Sequence, residues 1–334
     1  MNDIVAILEA ALKHQVDPDR VSNCEIMLRN LSTPVPDIID AILALDSSAM
    51  NVDQVDDLIK CCPTNEEMEM LKSYRGDKKM LGLYEQFFLE CAKIPRIKTK
   101  LQVFAFTITF SSQVNNLRET LNTINDSTKE IMESTKLNKM MQIIPTLFGP
   151  SGHRGSSGGF KLYSFWKLYH KVTPEISLLH MLCKLVADRT PELLDFDQDL
   201  IHLQAAYTIN VKSLYDDKSA IIKGFEKVQL EFDANLANEG GESARFQEAL
   251  KSFRDKADAQ LPPLIFFFSE VEQYGRSLVE YFGENLIVCS WKRVISSLVH
   301  FIKMFNKALE DLGGSCFLVE EAGPFQAYLW LGAS

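Results

Sequence analysis

The sequence has 334 residues, of which 46% are hydrophobic and 24% are charged, and its formal net charge is −10. This composition is typical of a soluble globular protein and excludes a largely disordered chain. The acidic balance argues against a dedicated nucleic-acid or membrane-surface protein, because such proteins usually carry a basic excess. Seven cysteines and an N-terminus without an apolar signal-like run predict a reduced, cytoplasmic protein with free thiols.

The charge is distributed unevenly along the chain. Residues 91–118 and 135–174 together contain 11 basic and no acidic residues. Two interpretations stay open at this point. The windows are either solvated helix faces or surfaces that meet an acidic partner.

Apolar residues recur at helical spacing along most of the chain, beginning with short helices between Pro34 and Pro63. Phenylalanines alternate within 101–110 as in a strand, but no second convincing strand is present, so we predict a buried helix there. One apolar stripe runs over 214–236 and resumes over 246–282, which predicts a long antiparallel helical hairpin. Because proline removes an amide donor, Pro262 and Pro263 predict a kink or break in its second helix.

Catalytic and metal-binding patterns do not emerge from the sequence. The glycine-rich segment 149–159 lacks the Gly-Lys-Ser/Thr ending of a phosphate-binding loop, and a flexible loop is the favoured interpretation. The six histidines are scattered, without a spacing that places two metal ligands on one helix face. We therefore predict a non-enzymatic protein of binding or assembly, with no cofactor and no metal.

Several motifs in register resemble the formin-homology-two domain, and they are most similar to the plant class II formins. The matching stretches are NCEIML at 23–28, PVPD at 34–37, LIKCCPTNEE at 58–67, EQFFL at 85–89, IPRI at 94–97, LLH at 178–180 and PELLDF at 191–196. The resemblance covers about residues 17 to 310. It implies an all-α, elongated, crescent-shaped helical bundle, in agreement with the periodicity.

The resemblance further implies an actin-binding protein of the cytoplasm and actin cytoskeleton, with no nucleic-acid or membrane partner. In the family, a head-to-tail homodimer bridges actin subunits at the filament barbed end, where it nucleates filaments and supports their elongation. An isoleucine of an Asn-x-x-Ile motif packs into an apolar cleft on actin, and it matches Ile26. Lys171 is the nearest match to a basic residue that pairs with acidic actin surface, and Arg96, Lys98 and Lys100 are further candidates.

This sequence departs from the family pattern in two regions that serve dimerisation. The knob motif begins about 16 residues after the first residue, which predicts that the lasso and linker are absent, and Leu147-Phe148-Gly149-Pro150 replaces the family's Leu-Gly-Asn motif. We predict a divergent segment at 1–16, a core of knob, coiled-coil-like and post regions at 17–310, and a divergent tail at 311–334. The resulting hypothesis is an actin-binding module impaired in dimerisation and nucleation. The alternative is a helical scaffold, or a decayed formin copy, without actin activity.

Overall fold

The computed structural model describes residues 18–64, 82–148, 160–236 and 241–314. Within these ranges the chain forms α-helices and short 3-10 turns, and the only extended pairing among them is an isolated bridge between Lys171 and Ser177. The all-α prediction is therefore confirmed. None of the helices in the described ranges has both the length and the hydropathy that a membrane span requires.

The described ranges contain twelve α-helices. In chain order they are α1 (Pro18–Leu31), α2 (Val35–Ala44), α3 (Val52–Cys61), α4 (Leu83–Lys93), α5 (Ile97–Glu133), α6 (Thr135–Ile143), α7 (Tyr163–Lys167), α8 (Leu178–Arg189), α9 (Leu203–Thr208), α10 (Val211–Leu236), α11 (Gly241–Tyr281) and α12 (Trp291–Gly314). Three 3-10 turns lie at Ile144–Phe148, Pro191–Leu193 and Phe196–Asp199.

The chain divides into two compact units. The first unit comprises residues 1–116 and 215–263, and the second comprises 117–214 and 264–334. Helices α1 to α4 belong to the first unit, whereas α6 to α9 and α12 belong to the second. The long helices α5, α10 and α11 contribute residues to both.

Local sequence signals set the helix boundaries of the first unit. Proline fixes a backbone angle suited to a helix start, and α2 begins directly after Pro34. Helix α3 begins with a capping box in which the Asn51 side chain accepts from the Gln54 amide at 2.9 Å and the Gln54 side chain accepts from the Asn51 amide at 2.9 Å. Helix α2 ends at Ala44, and the next residue, Leu45, caps it with a left-handed φ of 51°.

The segment 101–110 is helical, as predicted, and lies within α5. Leu101, Phe104 and Phe110 are buried in the first unit or at its edge. The two threonines that gave the segment its strand-like character bond back to the helix, because Thr107 donates to the Phe104 carbonyl at 2.7 Å and Thr109 donates to that of Ala105 at 3.1 Å. Burial of the apolar face thus outweighs the local strand propensity.

The predicted hairpin is present in the first unit, where α10 and α11 share one apolar core. Val228, Phe232, Phe246 and Leu250 belong to the same buried cluster. The Arg254 guanidinium of α11 lies 4.1 Å from the centre of the Phe232 ring of α10. This contact joins α10 to α11, and because only four residues separate the two helices in the chain, they pack as an antiparallel pair.

The sequence predicts a kink or break at the two prolines. A break does not occur, because α11 continues from Gly241 to Tyr281 with Pro262 and Pro263 inside it. Because proline has no amide hydrogen, the carbonyls of Asp258 and Ala259, four residues earlier, receive no helical hydrogen bond. All four of these residues are exposed. Water can therefore satisfy the two carbonyls, and the buried residues on either side hold the helix together.

An aromatic core fills the second unit. The Phe165 and Phe301 rings stack with centroids 4.4 Å apart, and Phe196 meets Phe301 at 5.7 Å and Phe305 at 5.4 Å.

At the end of α9, the Lys292 ammonium donates to the carbonyls of Ala206 and Ile209 and also to that of Tyr207. A cation here is favourable because the last carbonyls of a helix carry partial negative charge.

The C-terminal helix extends further than the sequence indicated. Helix α12 continues through Gly314, and Leu312 packs against the second core. The predicted segment 1–16, the glycine-rich stretch 149–159, and residues 315–334 of the predicted tail lie outside the described residues. Six cysteines within the described ranges are buried.

Candidate functional site

Ile26 lies on the outward face of α1, and its side chain is 55% exposed. The same helix buries Cys24 and Leu28, which are four residues apart and share one face. Since each helical residue advances about 100°, Ile26 lies on the side away from that core. Its flanks are polar, with an ion pair of 3.2 Å between Glu25 and Arg29. This places an apolar side chain on a folded surface, where a partner could cover it.

The basic residues predicted at the start of α5 have very different environments. Lys98 is exposed. Arg96 is 47% exposed at its side chain, but its guanidinium lies 2.8 Å from the Glu231 carboxylate. Arg96 also has a left-handed φ of 59°, immediately before the helix begins. Arg96 is therefore directed toward α10 by an ion pair, whereas Lys98 projects from the surface.

Lys100 is not a surface residue, which corrects its assignment as a candidate actin contact. Its side chain is only 2% exposed, and its ammonium donates to Glu231 Oε1 at 3.1 Å and to Asn235 Oδ1. It also lies 4.1 Å from the centre of the Phe246 ring. Burial lowers the pKa of Lys100, although the charge of Glu231 opposes that shift. Lys100 is thus part of the interior of the first unit.

The sequence interpretation missed Glu231 and Asn235, which are fully or almost fully buried. A signal was available, because Val228, Glu231, Phe232 and Asn235 recur at helical spacing on one face of α10. Two polar residues on an otherwise apolar face require buried partners. Here Lys100 and Arg96 supply them.

Lys171 lies in a short hairpin between α7 and α8, and it is exposed. The Leu178 amide donates to the His170 carbonyl at 3.0 Å, and the Val172 amide donates to the Ile176 carbonyl at 2.8 Å. At the tip, the Lys171 ammonium donates to the Pro174 carbonyl at 2.8 Å. The hairpin therefore holds a solvent-exposed cation in a defined place on the second unit.

A cavity of about 470 Å³ lies beside this hairpin in the second unit. It is lined by Phe148, Tyr163, Trp166, Lys167, Tyr169, His170 and Leu178. The Lys167 ammonium lies 5.2 Å from the Phe148 ring and 5.3 Å from the Tyr163 ring. Tyr163 and Trp166 are 66% and 55% exposed, so aromatic surface remains accessible here.

The sequence-predicted residues fall in both units. Ile26, Arg96, Lys98 and the buried Lys100 belong to the first unit, and Lys171 belongs to the second. Within the ranges that the structure describes, no group of three or more His, Cys, Asp or Glu side chains could hold a metal ion. Exposed apolar and basic side chains on helical units are typical of a helical binding module.

The chain belongs to the Formin Homology 2 Domain family, whose model matches residues 10–306. This match covers most of the chain, and it includes the elements that carry Ile26 and Lys171. The predicted family is thereby confirmed. The boundaries predicted within the chain, at residues 17 and 310, stay predictions.

Curated relatives are formin-like proteins of plants. The chain is 51% identical to Formin-like protein 3 of Oryza sativa subsp. japonica over 311 residues, which are 92% of this chain and 25% of that protein. It is 48% identical to Formin-like protein 14 of Arabidopsis thaliana over 301 residues, 89% of this chain and 24% of that protein. Formin-like protein 17 of Arabidopsis thaliana is 42% identical over 301 residues, 89% of this chain and 61% of that protein. The chain spans about a quarter of the first two.

Proposed function

We propose that this chain binds actin in the cytoplasm and contributes to filament assembly, with Ile26 as an apolar anchor and Lys171 as a basic contact. Membership of the formin-homology-two family supports the function, and the resemblance of the motifs to family members supports the two residues. The observation that carries the proposal is the 55% exposure of Ile26 on a helix whose opposite face is buried. Burial of this β-branched side chain against a partner would contribute favourable free energy, because it removes apolar surface from water.

The expected contribution of Ile26 follows from the apolar groups that Ile26→Ala removes. At about 0.8 kcal/mol per buried methylene, the three lost carbons correspond to about 2 kcal/mol. That free energy is about a 30-fold increase in the dissociation constant. Because Ile26 does not support the core, the substitution should leave folding stability almost unchanged.

Co-sedimentation with actin filaments and assembly of pyrene-labelled actin test this proposal. Ile201→Ala is the matched control, since Ile201 is a 75% exposed isoleucine outside the candidate site. We expect Ile26→Ala to weaken binding about 30-fold while Ile201→Ala binds like the unmodified chain. If the two variants bind actin equally, Ile26 is not the anchor. If the unmodified chain does not bind, the scaffold interpretation replaces the actin interpretation.

The basic contact has its own test. Lys171→Glu reverses the charge at the hairpin, and Lys184→Glu reverses it at another exposed lysine of the second unit. Charges at the edge of an interface act mainly on the association rate. We expect slower association for Lys171→Glu, most clearly at low salt, and little change for Lys184→Glu. Equal effects of both variants would show that net charge, and not Lys171, is responsible.

Weak dimerisation is the second part of the proposal. Its support is the departure at residues 147–152 from the family motif that helps to form the post, the region that receives a partner's lasso. Phe148 of this stretch lines the aromatic cavity, where an apolar segment of a second copy would sit. Light scattering of the purified chain should give a molar mass near 37.9 kDa. A stable mass of twice that value, with efficient nucleation, would overturn this part.

A further inference from the structure

Three threonines in the sequence precede a proline, and the structure presents their hydroxyl groups very differently. Thr33 is half-buried, and its hydroxyl donates to the Leu31 carbonyl at 3.0 Å. The Thr190 hydroxyl oxygen is buried. Thr173, in the hairpin of Lys171, is exposed. The fold therefore exposes Thr173, whereas Thr33 is half-buried and the Thr190 hydroxyl is buried.

We propose that Thr173 is a phosphorylation site for a proline-directed protein kinase, and that the phosphate inactivates Lys171 as a partner contact. Such kinases phosphorylate a Ser or Thr that precedes a proline. The threonine oxygen attacks the γ-phosphorus of Mg-ATP, the bond from that phosphorus to the bridging oxygen of ADP breaks, and ADP leaves. The hydroxyl proton passes to the carboxylate base of the kinase. The half of the proposal that concerns Lys171 rests on the proposed function.

The hairpin around Thr173 gives a kinase access to the segment. Val172, Pro174 and Glu175 are exposed as well, so the tip buries little apolar surface. The closing bonds of the turn, from the Val172 and Thr173 amides to the Ile176 carbonyl, measure 2.8 and 3.1 Å. A segment held mainly by exposed backbone bonds opens at low free-energy cost. The residue before a proline also favours an extended backbone, which suits a kinase cleft.

Two groups of the hairpin, the Ile176 amide and the Lys171 ammonium, can interact with the new phosphate charge. The Thr173 hydroxyl oxygen already accepts from the Ile176 amide at 3.1 Å, and a phosphate oxygen can take over that bond in a stronger, charge-assisted form. The Lys171 ammonium sits at the same turn, 2.8 Å from the Pro174 carbonyl. A phosphothreonine carries about −1.5 to −2 charges at neutral pH. It would draw the Lys171 ammonium away from solvent.

Other charged groups near the hairpin modify the attraction between the phosphate and Lys171 without removing it. Glu175 lies in the same turn and repels the phosphate, whereas His170 stands at the base of the hairpin. His180, at the start of α8, is bonded to Ser177 at 2.8 Å and lies 3.7 Å from the carboxylate of Asp311. Lys171 is thus the ammonium group placed at the turn itself. Phosphorylation gives a net negative charge to a tip in which the charges of Lys171 and Glu175 otherwise balance.

The first experiment maps the phosphate. The full chain is incubated with Mg-ATP and a mitogen-activated protein kinase, and tandem mass spectrometry locates and quantifies the product. We expect Thr173 to be labelled at least tenfold faster than Thr33 or Thr190, and Thr173→Ala to abolish this label. A sample unfolded in urea, digested to peptides and freed of denaturant should be labelled at all three threonines. Absence of label on Thr173 in the folded chain, or equal labelling of the three, overturns the proposal.

The second experiment measures what the phosphate does. Actin co-sedimentation compares the unmodified and phosphorylated chain, each with Lys171 and with Lys171→Ala. We expect phosphorylation to weaken binding at least fivefold when Lys171 is present and by less than twofold in the Lys171→Ala variant. Equal weakening in both backgrounds, or none with Lys171 present, overturns the assignment of Lys171 as the target. If the unphosphorylated chain fails to bind actin, the proposed function fails while the mapped site stands.

Discussion

Replacement of Lys100 by methionine tests whether the buried ion pair, rather than surface charge, explains this lysine. The side chains of Lys100 and Glu231 are 2% and 0% exposed, and their charged atoms lie 3.1 Å apart. Removing one partner of a buried pair costs roughly 3 to 5 kcal/mol, because the other charge stays desolvated. Arg96 still lies 2.8 Å from Glu231, so we expect the lower end, about 3 kcal/mol.

Urea unfolding followed by far-ultraviolet circular dichroism measures this loss. With a denaturant slope of about 3 kcal/mol/M, the midpoint should fall by about 1 M. Lys98→Met is the matched control, since Lys98 is exposed on the same helix, and it should change stability by no more than about 0.5 kcal/mol. The double variant Lys100→Met/Glu231→Gln should lose clearly less unfolding free energy than the two single variants lose in sum.

Two results would refute the reasoning. If Lys100→Met is no more destabilising than Lys98→Met, the ammonium of Lys100 does not stabilise the first unit. If a folded Lys100→Met variant loses actin affinity, Lys100 acts at the surface after all. Either outcome would restore the interpretation that the structure corrects.

Three further predictions concern other contacts within the units. Gly224→Ala would place a carbon 2.2 Å from the Phe106 ring. The cost of overpacking, about 1 to 3 kcal/mol, should exceed the gain in helix propensity of about 1 kcal/mol. Thermal unfolding of this variant should therefore occur at a lower temperature. His202 bonds to Glu130 at 2.6 Å, which raises its pKa above 6.5, so this contact stabilises fully below about pH 6.5 and weakens as the pH rises through the folded-state pKa. The loss of melting temperature in His202→Ala should accordingly be larger at pH 5.5 than at pH 8.5. Lys292→Met leaves three carbonyls near the end of α9 without their cation and should cost about 2 kcal/mol in urea unfolding, whereas a change below about 0.5 kcal/mol would contradict that role.

Periodicity was sufficient to predict the helices, because burial of one face imposes a regular spacing that can be read along the chain. The segment 101–110 is an exception, since its local pattern is strand-like and its helix was predicted because the sequence offers no second strand to pair with it. The prolines at 262 and 263 show what the sequence pattern alone does not predict. Their effect depends on whether the orphaned carbonyls face water, and that depends on tertiary packing.

The candidate site was only partly predictable, for a related reason. The exposure of Ile26 is compatible with its helical position, since Cys24 and Leu28 mark the buried face, but the same pattern fits a core residue. The partners of Lys100 lie more than 130 positions away in the chain. No local window contains them. Contacts of such separation become visible only when the fold brings α5 and α10 together.

The same reasoning changes what the two basic windows mean. Their positive charge is counted over neighbouring residues, but part of it is neutralised by distant ones. Glu231 pairs with Arg96 and Lys100 of the first window, and Asp195 pairs with Lys136 of the second at 2.7 Å. A partner therefore meets less positive charge than the sequence indicates. Exposed cations whose contacts lie within their own turn, as for Lys171 at the Pro174 carbonyl, keep their charge available. For an acidic partner, we infer that steering depends on such individual lysines more than on the total charge of either window.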